Sequence, residues 1–120
     1  MNFVTDTASA YIAALKCDDA IGKSINIGND FDISIRDLAH LIADLMQTRI
    51  TIICDNERLR PPNSEVERLR ANNGLALNLL KWRPHYGGGI EGLKKGLTET
   101  IAWFSCPENL QFYKNQGYVI

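Results

Sequence analysis

The sequence lacks an excess of basic residues, a long apolar run and a secretory signal. Thirteen lysines and arginines stand against 14 acidic residues, which gives a net charge of −1. A general nucleic-acid-binding domain usually carries a strongly basic face. No apolar run approaches the ~20 residues that cross a bilayer. The opening stretch MNFVTDTASA has neither a basic lead nor a long apolar run, so no secretory signal is visible. We expect a cytoplasmic protein with no nucleic-acid and no membrane partner.

Cysteine is scarce and forms no recognisable pattern. The three cysteines, Cys17, Cys54 and Cys106, are widely spaced and form no CxxC pair. An odd number in this arrangement argues against a disulfide framework or a zinc site and is typical of a reducing compartment. We interpret each thiol as buried or incidental.

The common catalytic motifs are also missing. The chain has no GxGxxG turn, no Walker loop, no GxSxG elbow and no HExxH pair. The three glycines at 87–89 follow a loop, so we interpret them as a flexible lead-in to a helix. His40 is predicted on the outer face of a helix, and His85 beside Pro84 in a loop. The residues alone therefore indicate no covalent chemistry and no metal site.

The remaining pattern predicts an α/β fold. A chain of 120 residues forms one domain or part of one. Helices are predicted from Asp6 as an N-cap, from Ser34 with Asp37 in a variant capping box, from Asn72 or Asn73, and from Ile90. Short apolar or β-branched runs at 24–28 and 49–55 predict two buried strands. Helices that alternate with such strands indicate an α/β layered architecture.

Apolar spacing predicts the faces of these helices. Residues spaced i, i+3, i+4 and i+7 make the first helix amphipathic, and five more form the inner face of the second. The first set is Ala8, Tyr11, Ile12 and Leu15, and the second is Leu38, Leu41, Ile42, Leu45 and Met46. The sequence KWRPHYGGG at 81–89 should end the third helix, because proline and glycine disfavour helix there.

The densest charge lies in the segment ERLRPPNSEVERLRANN at 57–73. Its arginines and glutamates can be read as exposed ion pairs, which contribute about 0–1 kcal/mol each. A second interpretation is an anion grip. Pro61 and Pro62 stiffen the backbone beside Arg60, and the planar guanidinium matches phosphate oxygens. Glu65, a few residues on, can accept hydrogen bonds from sugar hydroxyls. Phosphate and sugar together describe a nucleotide.

Six motifs in order resemble a known superfamily. They are NFVTDTA, INIG, ISIRDLAHLI, RLRPPNSEV, LLKWRP and GLTETIAWF. Together they resemble the C-terminal part of an extended short-chain dehydrogenase/reductase, within the NAD-dependent nucleotide-sugar epimerases and dehydratases. The form RLRPPNSEV and the tail PENLQFYKNQGY are most similar to UDP-N-acetylglucosamine 4,6-dehydratases.

The resemblance implies a division of roles. Arg60 would contact the substrate diphosphate, Glu65 the nucleotide ribose, and Arg58 is a weaker candidate for the phosphate. NAD is the cofactor of the complete family enzymes, but nothing in this sequence matches their glycine-rich turn, Tyr-x-x-x-Lys pair or dehydration residues. The chain is therefore expected to be a single, incomplete substrate-binding domain over 1–120, a C-terminal Rossmann-type fragment without its NAD-binding part.

Three functions follow from these expectations. The first is the nucleotide-sugar-binding portion of a 4,6-dehydratase (a lyase) or epimerase, with a UDP-sugar as the partner and no catalysis by this chain alone. The second is a free-standing, non-catalytic nucleotide-sugar-binding module. The third is a structural domain that forms oligomers, with a homodimer as the simplest case, through apolar faces that another copy covers.

Overall fold

The computed structural model describes residues 1–54 and 70–111. In these ranges the chain forms a series of helices joined by irregular segments. They are α1 (Val4–Leu15), a 3₁₀ turn (Asp18–Ala20), α2 (Ile35–Leu45), α3 (Gly74–Leu80), α4 (Ile90–Phe104) and α5 (Pro107–Leu110). Helix α1 packs against α3, and α4 packs against both α2 and α5.

The predicted α/β fold is wrong for the described part of the chain, which is helical and contains no β-strand. Strands need a neighbour that completes the backbone ladder. In the predicted strand at 24–28, side chains form hydrogen bonds where a neighbouring strand would. The Asn2 and Asn73 amides donate to the carbonyls of Ile27 and Gly28. Residues 49–54 are exposed along their whole length. Their β-branched composition fits a strand, but no described segment pairs with them.

Helix α1 begins earlier than predicted and faces the other way. Phe3 occupies the N-cap position, and Asp6 lies inside the first turn, so the predicted Asp6 cap is wrong. The buried residues of the helix are Asp6 and Ala10. The apolar stripe that the spacing predicts lies instead in the open, with Tyr11 66% and Leu15 86% exposed.

Helix α2 forms as predicted. Ser34 is the N-cap, and its Oγ accepts a hydrogen bond from the Asp37 backbone N–H at 3.0 Å. The same hydroxyl donates to the Asp37 carboxylate at 2.7 Å, which completes the capping-box variant. Leu38 is buried on the inner face, whereas Met46 at the end of that face is half exposed. His40 lies on the exposed outer face, as expected.

The segment between α3 and α4 ends one helix and begins the next. Lys81 adopts a left-handed conformation with φ of 53° after α3, and the chain stays non-helical until Ile90. Gly88 and Gly89 have φ values of 89° and 73°, which L side chains rarely adopt. The glycine run is therefore required by the turn that starts α4, and the predicted helix break is confirmed.

The core of the described part is small. Ala10, Ala76 and Trp82 are its buried centre, and Ala13, Ile25, Ile27 and Leu80 pack around them. No large side chain in the described ranges is fully buried, and many large apolar ones are exposed. Burial of apolar surface is the main stabilising term in folding. These residues thus hold together around one corner, formed by α1, α3 and the turn after α3.

Candidate functional site

The predicted site residues Arg58, Arg60 and Glu65 lie outside the described residues. Their roles at phosphate and ribose therefore stay predictions. The structure describes the last four residues of the charged segment, Arg70 and residues 71–73, which lead into α3. These four residues lie against the loop at 26–31, and the contacts between the two form the candidate site.

The backbone at Gly28 lies close to Ala71, near the end of the charged segment. A Cβ built on Gly28 would lie 2.6 Å from the Ala71 Cβ, far inside van der Waals contact. The Asn73 side chain also donates a hydrogen bond to the Gly28 carbonyl. A residue larger than glycine at position 28 would separate the two segments. Gly28 is thus needed for this close approach.

An ion pair continues the junction outward. The Arg70 Nε donates to the Asp30 Oδ1 at 2.6 Å, and both side chains are more than half exposed. Asp30 has a φ of 51°, a left-handed conformation that Asp tolerates better than most residues. The hydrogen bond from Arg70 lowers the pKa of the Asp30 carboxyl, and the same contact raises the pKa of the guanidinium. Asp32 raises it further.

A groove of about 410 Å³ with a mixed polar and apolar lining opens beside this junction. Asn2, Asn26, Asn29, Asp30 and Arg70 are the polar side chains that line it. The Asn29 Oδ1 is buried and accepts no hydrogen bond from the described residues. Three carboxamides, one carboxylate and one guanidinium provide donors and acceptors in a small volume. Such a surface can form hydrogen bonds with a hydroxylated molecule, which a purely apolar surface cannot do.

Sequence reasoning missed this arrangement. One of the two interpretations of the charged segment pairs its arginines with its own glutamates, but in the described part the partner of Arg70 is Asp30, 40 residues earlier. Asn26 lies within the INIG motif, and Asn29 directly follows it. No local pattern in the sequence indicates the Asp30–Arg70 pair or the position of these asparagines beside it, because two distant segments must pack together to form the arrangement.

A second polar cluster fixes the turn after α3. Asp6 is 3% exposed, and its two carboxylate oxygens accept the backbone N–H groups of His85 and Tyr86 at 2.8 and 3.0 Å. On the next turn of α1, the Ser9 hydroxyl accepts the Trp82 Nε1–H at 2.8 Å. Buried polar groups of this kind stabilise a fold only when they are hydrogen-bonded. These bonds hold the turn at 82–86 against α1.

Tyr86 connects the same turn to α4. Its hydroxyl donates to Glu99 Oε1 at 2.7 Å, which, together with desolvation, raises the pKa of the phenol. Lys95 Nζ lies 3.5 Å from His85 Nε2 and 5.7 Å from the centre of the Tyr86 ring. No serine or cysteine nucleophile contacts His85 among these groups, so the cluster has the geometry of a structural contact.

The cysteines take no part in either cluster. Cys17 is half-buried and its thiol donates to the Leu79 carbonyl at 3.6 Å. Cys106 donates to the Glu108 carboxylate at 2.6 Å, which lowers the pKa of that carboxyl. Cys54 is exposed. All three are free thiols.

Metal-ligating side chains do not cluster in the described ranges, and the glycine turn at 87–89 does not have the surroundings of a dinucleotide turn. Among residues 1–54 and 70–111 no group of three or more His, Cys, Asp or Glu side chains could hold a metal ion. The glycine turn before α4 follows a loop, and the carbonyls of Tyr86 and Gly87 press against Gly92 in its first turn. Carbonyl oxygens at this place would repel a pyrophosphate. A membrane-spanning helix is likewise not found in the described part of the chain.

Comparison with known proteins adds no relative. Protein-family models, curated proteins and solved structures each gave no match to this chain. The resemblance to nucleotide-sugar enzymes therefore stays a hypothesis based on the motifs in the sequence.

Proposed function

We propose that this chain is the nucleotide-sugar-binding portion of an NAD-dependent nucleotide-sugar 4,6-dehydratase or epimerase. Arg60 binds the diphosphate, Glu65 accepts hydrogen bonds from the ribose hydroxyls, and Arg58 adds positive charge near the phosphates. The hydride transfers belong to the NAD-binding part of such an enzyme. The chain alone binds the substrate and does not convert it.

The observation that carries this proposal is the junction between the 26–31 loop and residues 70–73. The charged segment ends there, beside a groove lined by amides and the Asp30–Arg70 pair. Glu65 precedes Arg70 by five residues, and an extended chain covers at most ~3.6 Å per residue. Five residues of chain therefore span at most ~18 Å. The groove is thus within reach of a ligand held by the segment.

The chemistry of the segment supports the same conclusion. Pro61 and Pro62 follow Arg60 directly, and proline restricts both its own φ and the residue before it. Less conformational entropy is then lost when the arginine binds an anion. A guanidinium that donates two parallel hydrogen bonds to phosphate makes a strong, oriented contact.

Isothermal titration calorimetry with UDP tests whether Arg60 binds the diphosphate. We expect Arg60→Ala to weaken UDP binding about tenfold or more, because a hydrogen bond to a charged group contributes ~1.5–3 kcal/mol. Arg36→Ala is the matched control, since Arg36 is exposed on the outer face of α2, and it should bind UDP like the wild type. Equal affinity of wild type and Arg60→Ala would refute the role of Arg60.

The same titration separates a binding module from a portion of an enzyme. A module that functions alone would bind UDP-N-acetylglucosamine at micromolar concentration without a second protein. A portion of an enzyme would bind it weakly alone and more tightly after its NAD-binding partner is added in trans. The partner should leave the affinity unchanged if the module interpretation holds.

Exposed apolar side chains favour a second candidate function, an oligomer-forming domain. Val4, Tyr11, Ile12 and Leu15 lie along one exposed side of α1. Contiguous apolar surface of this kind marks interaction sites. Sedimentation equilibrium would test self-association, with a defined dimer that Ile12→Glu dissociates as the supporting result. A monomer at every concentration would exclude it.

A further inference from the structure

The sequence contains a single Asn–Gly pair, Asn73–Gly74, and this pair lies in the junction with the 26–31 loop. Asparagine before glycine is prone to deamidation, because glycine has no Cβ to hinder attack by its backbone nitrogen. The Gly74 nitrogen bonds to the Asn73 Cγ, and the Cγ–Nδ2 bond breaks. The side-chain nitrogen leaves as ammonia with the proton of the Gly74 N–H. Water then opens the cyclic imide to aspartate or isoaspartate.

Three hydrogen bonds oppose this attack in the folded chain. The Asn73 Nδ2 donates to the Gly28 carbonyl, which holds the carboxamide in place. The Gly74 N–H donates to the Asn72 Oδ1 at 2.8 Å, so the attacking nitrogen keeps its proton. The Leu77 N–H donates to the Asn73 carbonyl at 2.9 Å. This third bond keeps the ψ of Asn73 near 6°, whereas closure of the imide turns the peptide plane away from that helical orientation.

The surroundings of the Asn73 carboxamide oxygen oppose the reaction as well. Attack at Cγ places negative charge on Oδ1, and such charge forms readily only where hydrogen-bond donors or water stabilise it. The Asn73 Oδ1 is buried, and no described residue donates to it. Deamidation therefore requires the junction to open and admit water. Local openings of this kind cost less free energy than global unfolding.

We propose that Asn73 is a deamidation site that its contact with Gly28 protects, and that deamidation leaves the junction open. The contact depends on the carboxamide, because the Nδ2 N–H is the group that donates to the Gly28 carbonyl. Aspartate or isoaspartate has no such donor when ionised, and its charge would face the carbonyl oxygen. The modification thus removes the contact that slowed it, and no step restores the amide. The inference is independent of the ligand that the chain binds.

Tandem mass spectrometry of the full chain at mildly alkaline pH measures deamidation at Asn73. We expect the native wild type to deamidate about tenfold more slowly, or slower still, than the same chain unfolded in guanidinium chloride, because a closed junction reduces the reactive population by at least that factor. Gly28→Ala should remove most of this protection, since its Cβ would lie 2.6 Å from the Ala71 Cβ. Equal rates in the native and unfolded wild type would overturn the proposal.

Gly22→Ala is the matched control for Gly28→Ala. Gly22 has a φ of 74°, and an added Cβ there meets no atom within 4 Å. The substitution therefore strains the backbone away from the junction, and Asn73 should keep its wild-type rate. Equal acceleration in both glycine variants would show that overall stability, and not the junction, protects Asn73. A Gly28→Ala rate as slow as that of the wild type would also overturn the proposal.

Asn72→Ala tests the same protection without a steric clash. It removes the acceptor of the Gly74 N–H, so deamidation of the native chain should become several-fold faster, and an unchanged rate would contradict the role of this bond. In guanidinium chloride, Gly74→Ala should deamidate several-fold more slowly at position 73 than the wild type, because a Cβ hinders the attack. Equal rates there would exclude the imide route.

The deamidated chain tests the second half of the proposal. After separation by ion exchange, it should unfold at a lower urea concentration than the unmodified chain, and Asn73→Asp should reproduce this shift. Asn78→Asp adds the same charge to an exposed position of α3 and should leave the urea midpoint nearly unchanged. A deamidated chain with the midpoint of the unmodified one would show that the junction stays closed and would overturn this half.

Discussion

The two sides of helix α1 have the opposite burial from the one that its apolar pattern predicts. On one side Asp6 and Ser9 hold the turn at 82–86 through hydrogen bonds, and Ala10 packs on Trp82. On the other side Tyr11 and Leu15 are exposed. Amphipathic helices usually bury their apolar stripe. Here the polar side is the one that the described part of the chain uses.

This difference shows which contacts hold the described residues together. The inward side depends on a few small residues, one tryptophan and buried hydrogen bonds. The outward side contributes apolar area that no described residue covers. Covering such an apolar surface with another one removes it from water, which lowers the free energy of association. We conclude that the corner around Trp82 stabilises the described residues, whereas association through the stripe stays a proposal.

The two tryptophans provide the largest expected contrast. Trp82 is 7% exposed, and Trp103 is 46% exposed beside Phe104. Trp82→Ala should lower the free energy of unfolding by about 3–5 kcal/mol, because a cavity remains and the bond to Ser9 is lost. Trp103→Ala should cost about 1 kcal/mol or less. Urea unfolding measures both, and equal losses would contradict the corner as the source of stability.

Asp6 gives the next effect. Asp6→Ala leaves the His85 and Tyr86 N–H groups without their acceptor, and the second of these bonds is buried. We expect a loss of about 2–4 kcal/mol in the free energy of unfolding. Asp44→Ala, on the exposed face of α2, should change it by less than about 0.5 kcal/mol. A small loss at position 6 would mean that the carboxylate does not anchor the turn.

A pair of leucines compares the stripe with the interior. Leu15 is the most exposed residue of the stripe, whereas Leu93 is buried in α4. Leu15→Ala should change the unfolding free energy of the monomer by less than about 0.5 kcal/mol, and Leu93→Ala should lower it by about 2–4 kcal/mol. Unfolding at low protein concentration keeps association out of the measurement. A large loss at Leu15 would show that the stripe is covered within the monomer.

Tyr86 gives the smallest effect, and it depends on pH. Its pKa is raised in the folded chain, chiefly by the hydrogen bond to Glu99. An acid whose pKa is raised on folding contributes stability that is complete below its unfolded value near 10 and is lost as pH rises through its folded value. Stability should therefore fall above about pH 10, and Tyr86→Phe should fall less steeply. Parallel pH curves would exclude the phenol as the cause.

Sequence reasoning succeeded where the signals are local. The Ser34 cap, the break between α3 and α4 and the exposed His40 each depend on residues within one turn of each other. The predicted start of α4 at Ile90 is also confirmed, and the structure adds that Gly88 and Gly89 before it adopt positive φ values. Local hydrogen bonds and backbone preferences decide these features.

It failed where distant segments decide the outcome. The β-branched run at 49–55 predicts a strand, but a strand exists only with a partner, and no described segment supplies one to residues 49–54. The apolar stripe on α1 predicts a buried face, but the sequence does not show which surface packs against it. The Asp30–Arg70 pair joins residues 40 positions apart, and nothing in either neighbourhood marks the other. Arg58, Arg60 and Glu65 lie outside the described residues, so their predicted roles remain to be measured.

The most direct test of the proposed function is the titration of UDP into the wild-type chain and into Arg60→Ala, with Arg36→Ala as the control. We predict that wild type and Arg36→Ala bind UDP alike and that Arg60→Ala binds it about tenfold more weakly or worse. Binding that is equal in all three proteins, or absent from the wild type, would contradict it.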